Sequence, residues 1–104
     1  MVTEKRRYAR TPIHVTVSFG LKTDTGRHTG VGRDISLGGM FVETDTPASF
    51  GADVTIHVRL PGADGIFALP AIVRWVKADG MGVQFGSLGA KETYLITEIG
   101  RTAE

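Results

Sequence analysis

Two short clusters hold the side chains best suited to chemistry. The first is EKRRYAR, residues 4–10, which puts three arginines and a lysine within six consecutive positions. Guanidinium forks grip phosphate bidentately and stack on flat rings, which an ammonium group does not match, and arginine also pairs with the O6 and N7 acceptors of guanine. The second is GRDISLGGMF, residues 32–41, where Asp34, Ser36 and Gly39 stand in the pattern acid-x-Ser-x-x-Gly with Gly38 adjacent. Each has an ordinary explanation when taken alone. A terminal charge run is commonly a solvated tail. An Asp-Ser-Gly-Gly stretch is commonly a hairpin turn, in which Asp and Ser bond the local backbone and Gly38 and Gly39 supply unusual backbone angles.

Taken together, the clusters are complementary. Arg6 and Arg10 suit phosphates and the O6/N7 edge of guanine. Asp34 suits the N–H donors on guanine's opposite edge, and Ser36 with the glycine backbone suits phosphate oxygens. Asp34 and Ser36, two apart on a strand, are expected to point to the same side. The pair describes a site for a guanine nucleotide carrying more than one phosphate.

The remaining residues exclude other chemistries. His14 and His57 fall on outward strand positions and His28 beside a turn, with no carboxylates at metal-ligand spacing, so no metal site is expected. No nucleophile–base arrangement is legible, and an enzyme is not expected. The absence of cysteine rules out disulfides and thiolate zinc sites and is compatible with a reducing, cytoplasmic setting. The apolar runs are far shorter than a membrane span, and no apolar segment follows the N-terminal basic residues, so neither membrane insertion nor a secretory signal is expected. Net charge is only +1, which does not suggest general nucleic-acid binding. The charge is unevenly placed, however: residues 1–10 carry four Lys/Arg against one acid, and the other 94 carry eight against ten.

These clusters need elements to position them. IHVTVSFGL alternates strictly, with Ile13, Val15, Val17, Phe19 and Leu21 on one side, the mark of a half-buried strand. TDTG reads as a turn, RHTGVGRDI as a glycine-broken strand, SLGG as a tight turn and MFVET as a short strand. DVTIHVRLP alternates again, with Val54, Ile56, Val58 and Leu60 inward. In GIFALPAIVRWVK, Phe67, Leu69, Ala71, Val73 and Trp75 share one face, and Pro70 predicts an edge or a bulge where it stands. ADGM turns the chain into GVQF. A helix is expected over GAKETYLITEIGR, capped by Ser87, with Leu88, Tyr94, Leu95 and Ile99 on one broad face; its threonines and isoleucines are mediocre helix formers, so packing must hold it. At 104 residues the chain is one domain. Six short strands hide their edges best by closing, so the expected fold is all-β: a six-stranded antiparallel small β-barrel with a C-terminal α-helix. Residues 1–12 form a flexible basic arm and residues 13–104 the barrel with its helix.

In these features the sequence resembles the PilZ domain, a bacterial receptor module for the second messenger cyclic di-GMP. The resemblance lies in RRYAR (Arg6 to Arg10), DISLGG (Asp34 to Gly39) and the late VRWVKADGMGVQF, and it covers nearly the whole chain. It implies the same barrel and helix, with the arm folding across the barrel face to enclose the ligand. By position it assigns ligand contacts to Arg6, Arg7, Arg10, Asp34, Ser36, Gly38 and Gly39, with Lys5 and Trp75 as secondary candidates. Trp75 would stack near a base, but its place on the face of Phe67 and Val73 predicts a core role instead. The resemblance implies a nucleotide-binding receptor or adaptor with no further cofactor, in which binding rearranges the arm and alters contact with a downstream protein partner or a second copy. Two other readings remain open: a PilZ-type interaction module without ligand, and a small-barrel binder of RNA or single-stranded DNA. The second usually interleaves aromatics with basic residues on one strand face, whereas here the cations cluster on one arm with only Tyr8 beside them.

Overall fold

The computed structural model describes residues 10–22 and 26–102. Lys5, Arg6 and Arg7 lie outside the described residues, as do residues 23–25 of the TDTG turn.

Six strands and one helix follow in order: β1 (Thr11–Leu21), β2 (His28–Ile35), β3 (Gly39–Glu43), β4 (Asp53–Val58), β5 (Phe67–Lys77), β6 (Gly80–Phe85) and α1 (Ala90–Thr102). All strand pairs are antiparallel, in the closed order β1-β2-β3-β6-β5-β4. The second half of β1 closes the ring by pairing with β4, from Val17 opposite Val58 to Leu21 opposite Val54. Closure removes the two edges that an open six-stranded sheet would present. The alternating positions fill the interior: Val17, Phe19, Ile56, Leu69 and Val73 are fully buried. Leu21, the last of the β1 set, is exposed because the strand has by then reached the end of the barrel.

Pro70 sits neither on an edge nor at a bulge. β5 pairs on both sides, with Pro70 opposite Thr55 of β4, and the register shift of β5 falls between Val73 and Trp75. On the β6 side the ladder ends at Ala71 opposite Phe85, beyond which Gly86 N donates to the Pro70 carbonyl at 2.8 Å. A ladder-end position tolerates the missing donor, because no interior rung is lost.

The helix begins one residue later than expected and is capped differently. Gly89, not Ser87, precedes its first residue, and the Gly89 carbonyl accepts from Thr93 N at 3.0 Å. Glu92 lies in the first turn, where a carboxylate favours the helix N-terminus. The buried stripe is Leu95, Ile96 and Ile99, while Tyr94 is 63% exposed. At 3.6 residues per turn Tyr94 lies about 150° from the centre of that stripe, so the expected face was rotated by one position. Burial of each aliphatic side chain contributes roughly 1.5–3 kcal/mol, more than the ~1 kcal/mol of a strong cap, so packing holds this helix.

Candidate functional site

The SLGG turn is built by its serine. Ser36 N donates to the Gly39 carbonyl at 2.9 Å, and Ser36 Oγ accepts from Gly38 N at 3.1 Å and Gly39 N at 3.3 Å. The serine is 6% exposed. Both glycine N–H groups are therefore committed to Ser36, and the hydroxyl proton of Ser36 remains as the donor at this point. The expectation of unusual angles at Gly38 and Gly39 is not met: the described glycines with left-handed φ are Gly51 and Gly62. Gly39 is needed for close approach instead. A Cβ there would collide with the Val83 carbonyl of β6. Gly38 ties the turn to the same strand, its carbonyl accepting from Phe85 N at 2.9 Å.

Asp34 reaches the surface through an irregularity. The β2–β3 register shifts between Gly32 and Asp34, so the alternation is interrupted: Gly32 and Ile35 are buried, while Arg33 and Asp34 both face outward. Extra residues of this kind re-aim side chains. Arg33 is drawn off to Glu43 at 3.5 Å. Asp34 Oδ1 accepts from Arg10 Nη1 at 2.7 Å and from Phe41 N at 3.2 Å. Arg10, just before β1, is thereby held over the turn in a partly buried ion pair.

The opposite wall uses the same device. The β5–β6 register shifts between Val73 and Trp75, leaving Val73 buried and turning the consecutive residues Arg74 and Trp75 outward. Trp75 is 40% exposed and does not join the core that its place in the alternation predicted. Its ring stacks on Phe41 of β3, with centroids 5.3 Å apart and planes 15° from parallel. The two rings meet across Gly82 of β6, where any Cβ would run into the indole. Lys77 Nζ lies 5.2 Å from the indole centroid, within reach of a cation–π attraction. Arg74 Nε donates to Gln84 Oε1 at 2.7 Å.

Between these walls lies an open basin of about 470 Å³, lined among others by Arg10, Ser36, Gly38, Arg74, Trp75 and Gln84. Of the residues singled out in the sequence, the structure brings Arg10, Ser36, Gly38 and Trp75 to this basin. Asp34 joins it through Arg10, Gly39 lies against β6 beneath it, and Lys5, Arg6 and Arg7 are outside the described residues. Sequence reasoning missed Arg74, Gln84 and Phe41. The only trace of the first in the sequence was its place beside the tryptophan, where the apolar alternation itself stays regular. Among the described residues, no group of three or more His, Cys, Asp or Glu could hold a metal ion, and no helix is long and apolar enough to cross a membrane.

Residues 4–99 match the PilZ domain family. Among solved structures, the chain is similar to the PilZ domain of YcgR from Escherichia coli with c-di-GMP, at 20% identity and a TM-score of 0.72, covering 96% of this chain and 95% of that one. It is also similar to the PilZ domain of CeSA from a cellulose-synthesizing bacterium, at 23% identity and a TM-score of 0.69, covering 91% and 94%. A third similar structure is the Bacillus subtilis inhibitor of motility MotI/DgrA, at 21% identity and a TM-score of 0.74, covering 96% of this chain but 52% of that one. The chain thus spans about half the length of MotI/DgrA. Comparison with curated proteins gives no match. At these identities the likeness to solved structures establishes the fold, and the match over residues 4–99 carries the family.

Proposed function

This chain belongs to the PilZ domain family, and on that premise we propose that it is a receptor for cyclic di-GMP with no catalysis of its own. The observation that carries the reading is the basin, where Arg10, Ser36, Gly38 and Trp75 converge from separate parts of the barrel. The solved PilZ domain of YcgR, similar in fold, is described with c-di-GMP.

In this reading Arg10 turns part of its guanidinium from Asp34 to a phosphate or to the O6/N7 edge of a guanine. Asp34, with Oδ1 already bonded to Arg10 and Phe41 N, offers its other oxygen to the N–H edge of that base. Ser36 donates its hydroxyl proton to a phosphate oxygen. Trp75, backed by Phe41, is the secondary contact and offers a flat face for a base. Arg6 and Arg7 supply further cationic contacts from the arm, with Lys5 as a helper. Binding draws the arm onto the barrel and changes the surface offered to a downstream partner, the kind of segment rearrangement that serves as a switch.

Calorimetric titration with cyclic di-GMP, with GTP and a short oligonucleotide as controls, tests the receptor role. Saturable binding of cyclic di-GMP alone is expected, and heat from the oligonucleotide alone would overturn it. Limited trypsin digestion tests the arm, because cleavage is available after Lys5, Arg6, Arg7 and Arg10. Saturating ligand should slow those cuts while cleavage at Arg27 continues unchanged. Equal rates with ligand bound would remove the arm from the switch.

A further inference from the structure

The described motif residues at the basin, Arg10, Ser36 and Gly38, lie on one wall of it. The other wall, from β5 and β6, carries a cation that neither motif includes. Arg74 occupies the extra position of the β5–β6 bulge: Val73 pairs with Val83 and Trp75 with Gly82, leaving Arg74 without a cross-strand partner. A regular strand would have sent Trp75 inward behind an outward Arg74. The bulge instead presents guanidinium and indole side by side on the outer surface, both lining the basin.

The guanidinium is also oriented. Its Nε donates to Gln84 Oε1 at 2.7 Å, which leaves the two terminal nitrogens as the free face of the fork. Gln84 in turn stands directly opposite Gly39 on β3 and Ile72 on β5. The Gln84 backbone thus lies beside the glycine that ends the serine–glycine turn, and its side-chain amide holds Arg74. No carboxylate lies within ion-pair distance of Arg74 among the described residues, whereas Arg10, Arg33 and Arg101 each have one. A basin wall that combines a guanidinium without a carboxylate partner and a flat indole suits an anionic group joined to an aromatic ring.

We infer that Arg74, oriented by Gln84, is a further ligand-binding residue of this basin and contacts a phosphate of the bound dinucleotide from the side opposite Arg10. The inference rests on the receptor reading above, and it adds a contact that the two motifs do not predict. Arg10 precedes β1 and Arg74 lies on β5, strands that do not pair with each other, and both side chains line the one basin. Entering from different elements, the two arginines are placed to hold different anionic groups of one ligand.

Calorimetry with cyclic di-GMP on the whole chain tests this, using Arg74→Ala, Arg74→Lys, Gln84→Leu and the Arg74→Ala/Gln84→Leu double variant, each checked by thermal unfolding. Loss of a charged hydrogen bond predicts roughly tenfold weaker binding for Arg74→Ala, with partial recovery in Arg74→Lys, which keeps the charge but not the fork. The affinity of Arg74→Ala should also fall less steeply as salt is raised, a change that a merely structural role would not produce. Gln84→Leu should weaken binding by a smaller factor, and that factor should vanish in the double variant, because the amide acts through Arg74. Arg74→Ala binding within twofold of the unaltered chain at low and high salt would overturn the inference while leaving the receptor role standing. An unaltered chain that binds no cyclic di-GMP would overturn both.

Discussion

The two sides of this barrel follow different rules. From β1 through β4 to β5 the register runs without a break, Val17 to Leu21 against Val58 to Val54 and Asp53 to Val58 against Ile72 to Phe67. Around the basin it shifts between Pro12 and Val15, between Gly32 and Asp34, and between Val73 and Trp75. On the regular side alternate residues enter the core, as period two requires, apart from Leu21 at the barrel end. On the basin side two shifts each turn a pair of consecutive residues outward, Arg33–Asp34 and Arg74–Trp75, and glycines at 39 and 82 make room for a carbonyl and an indole. Regular pairing fills a core, and irregular pairing aims side chains. The division predicts that stability and binding can be perturbed separately.

The largest effect should come from the regular side. Ile56 is completely buried, and Ile56→Ala should destabilise the fold by about 2–5 kcal/mol through lost burial and a residual cavity. Denaturant unfolding measures this. Titration under conditions where the variant stays folded should return near-normal affinity, and a direct loss of binding there would break the division.

Arg10→Ala should do the reverse. It makes a partly buried ion pair with Asp34, so unfolding should shift by about 1–2 kcal/mol, less than for Ile56→Ala. Cyclic di-GMP affinity should fall by at least ~1.5 kcal/mol, roughly tenfold, as should that of Arg6→Ala. If calorimetry finds both single variants unchanged, the arginines are not part of the site.

Asp34 sharpens the comparison further, since it reads the base. Asp34→Ala should narrow the preference for cyclic di-GMP over cyclic di-AMP, because the acceptor for guanine's N–H edge is gone. Asp34→Asn should be milder, keeping an acceptor oxygen but losing its charge. Equal discrimination by the unaltered chain and Asp34→Ala would remove that role.

The smallest effect belongs to His57 on β4. Burial lowers its pKa below the usual histidine value, and the nearby charge of Arg27 lowers it further. The unfolded chain therefore binds a proton at about pH 6.5 that the folded chain still refuses. Stability from this group is complete above that pH and declines as pH falls through 6.5 toward the lowered value. His57→Gln should flatten that decline in pH-dependent unfolding, and an unchanged pH profile would show that this histidine is not its source.

Much of this molecule was legible residue by residue. The alternation of β1 and β4 announced strands with their correct inner faces, because a half-buried strand writes its burial into every second position. The two motifs were visible because guanidinium, carboxylate and hydroxyl groups at short spacing have few structural reasons to coincide. Closure into a barrel also followed from six short strands with edges to hide. What stayed hidden depended on partners distant in sequence. Trp75 reads as core until the register with β6 inserts an extra residue before it, and Arg74 becomes part of the basin by the same shift. Tyr94 and Ile96 exchange places because the docking of α1 on the barrel, rather than its own periodicity, sets which stripe is buried. The Arg10–Asp34 pair joins residues 24 positions apart. A periodic pattern records which positions a strand would bury if it ran straight. Where the strand bulges, and which chain lies beside it, is decided by long-range pairing that no local stretch encodes.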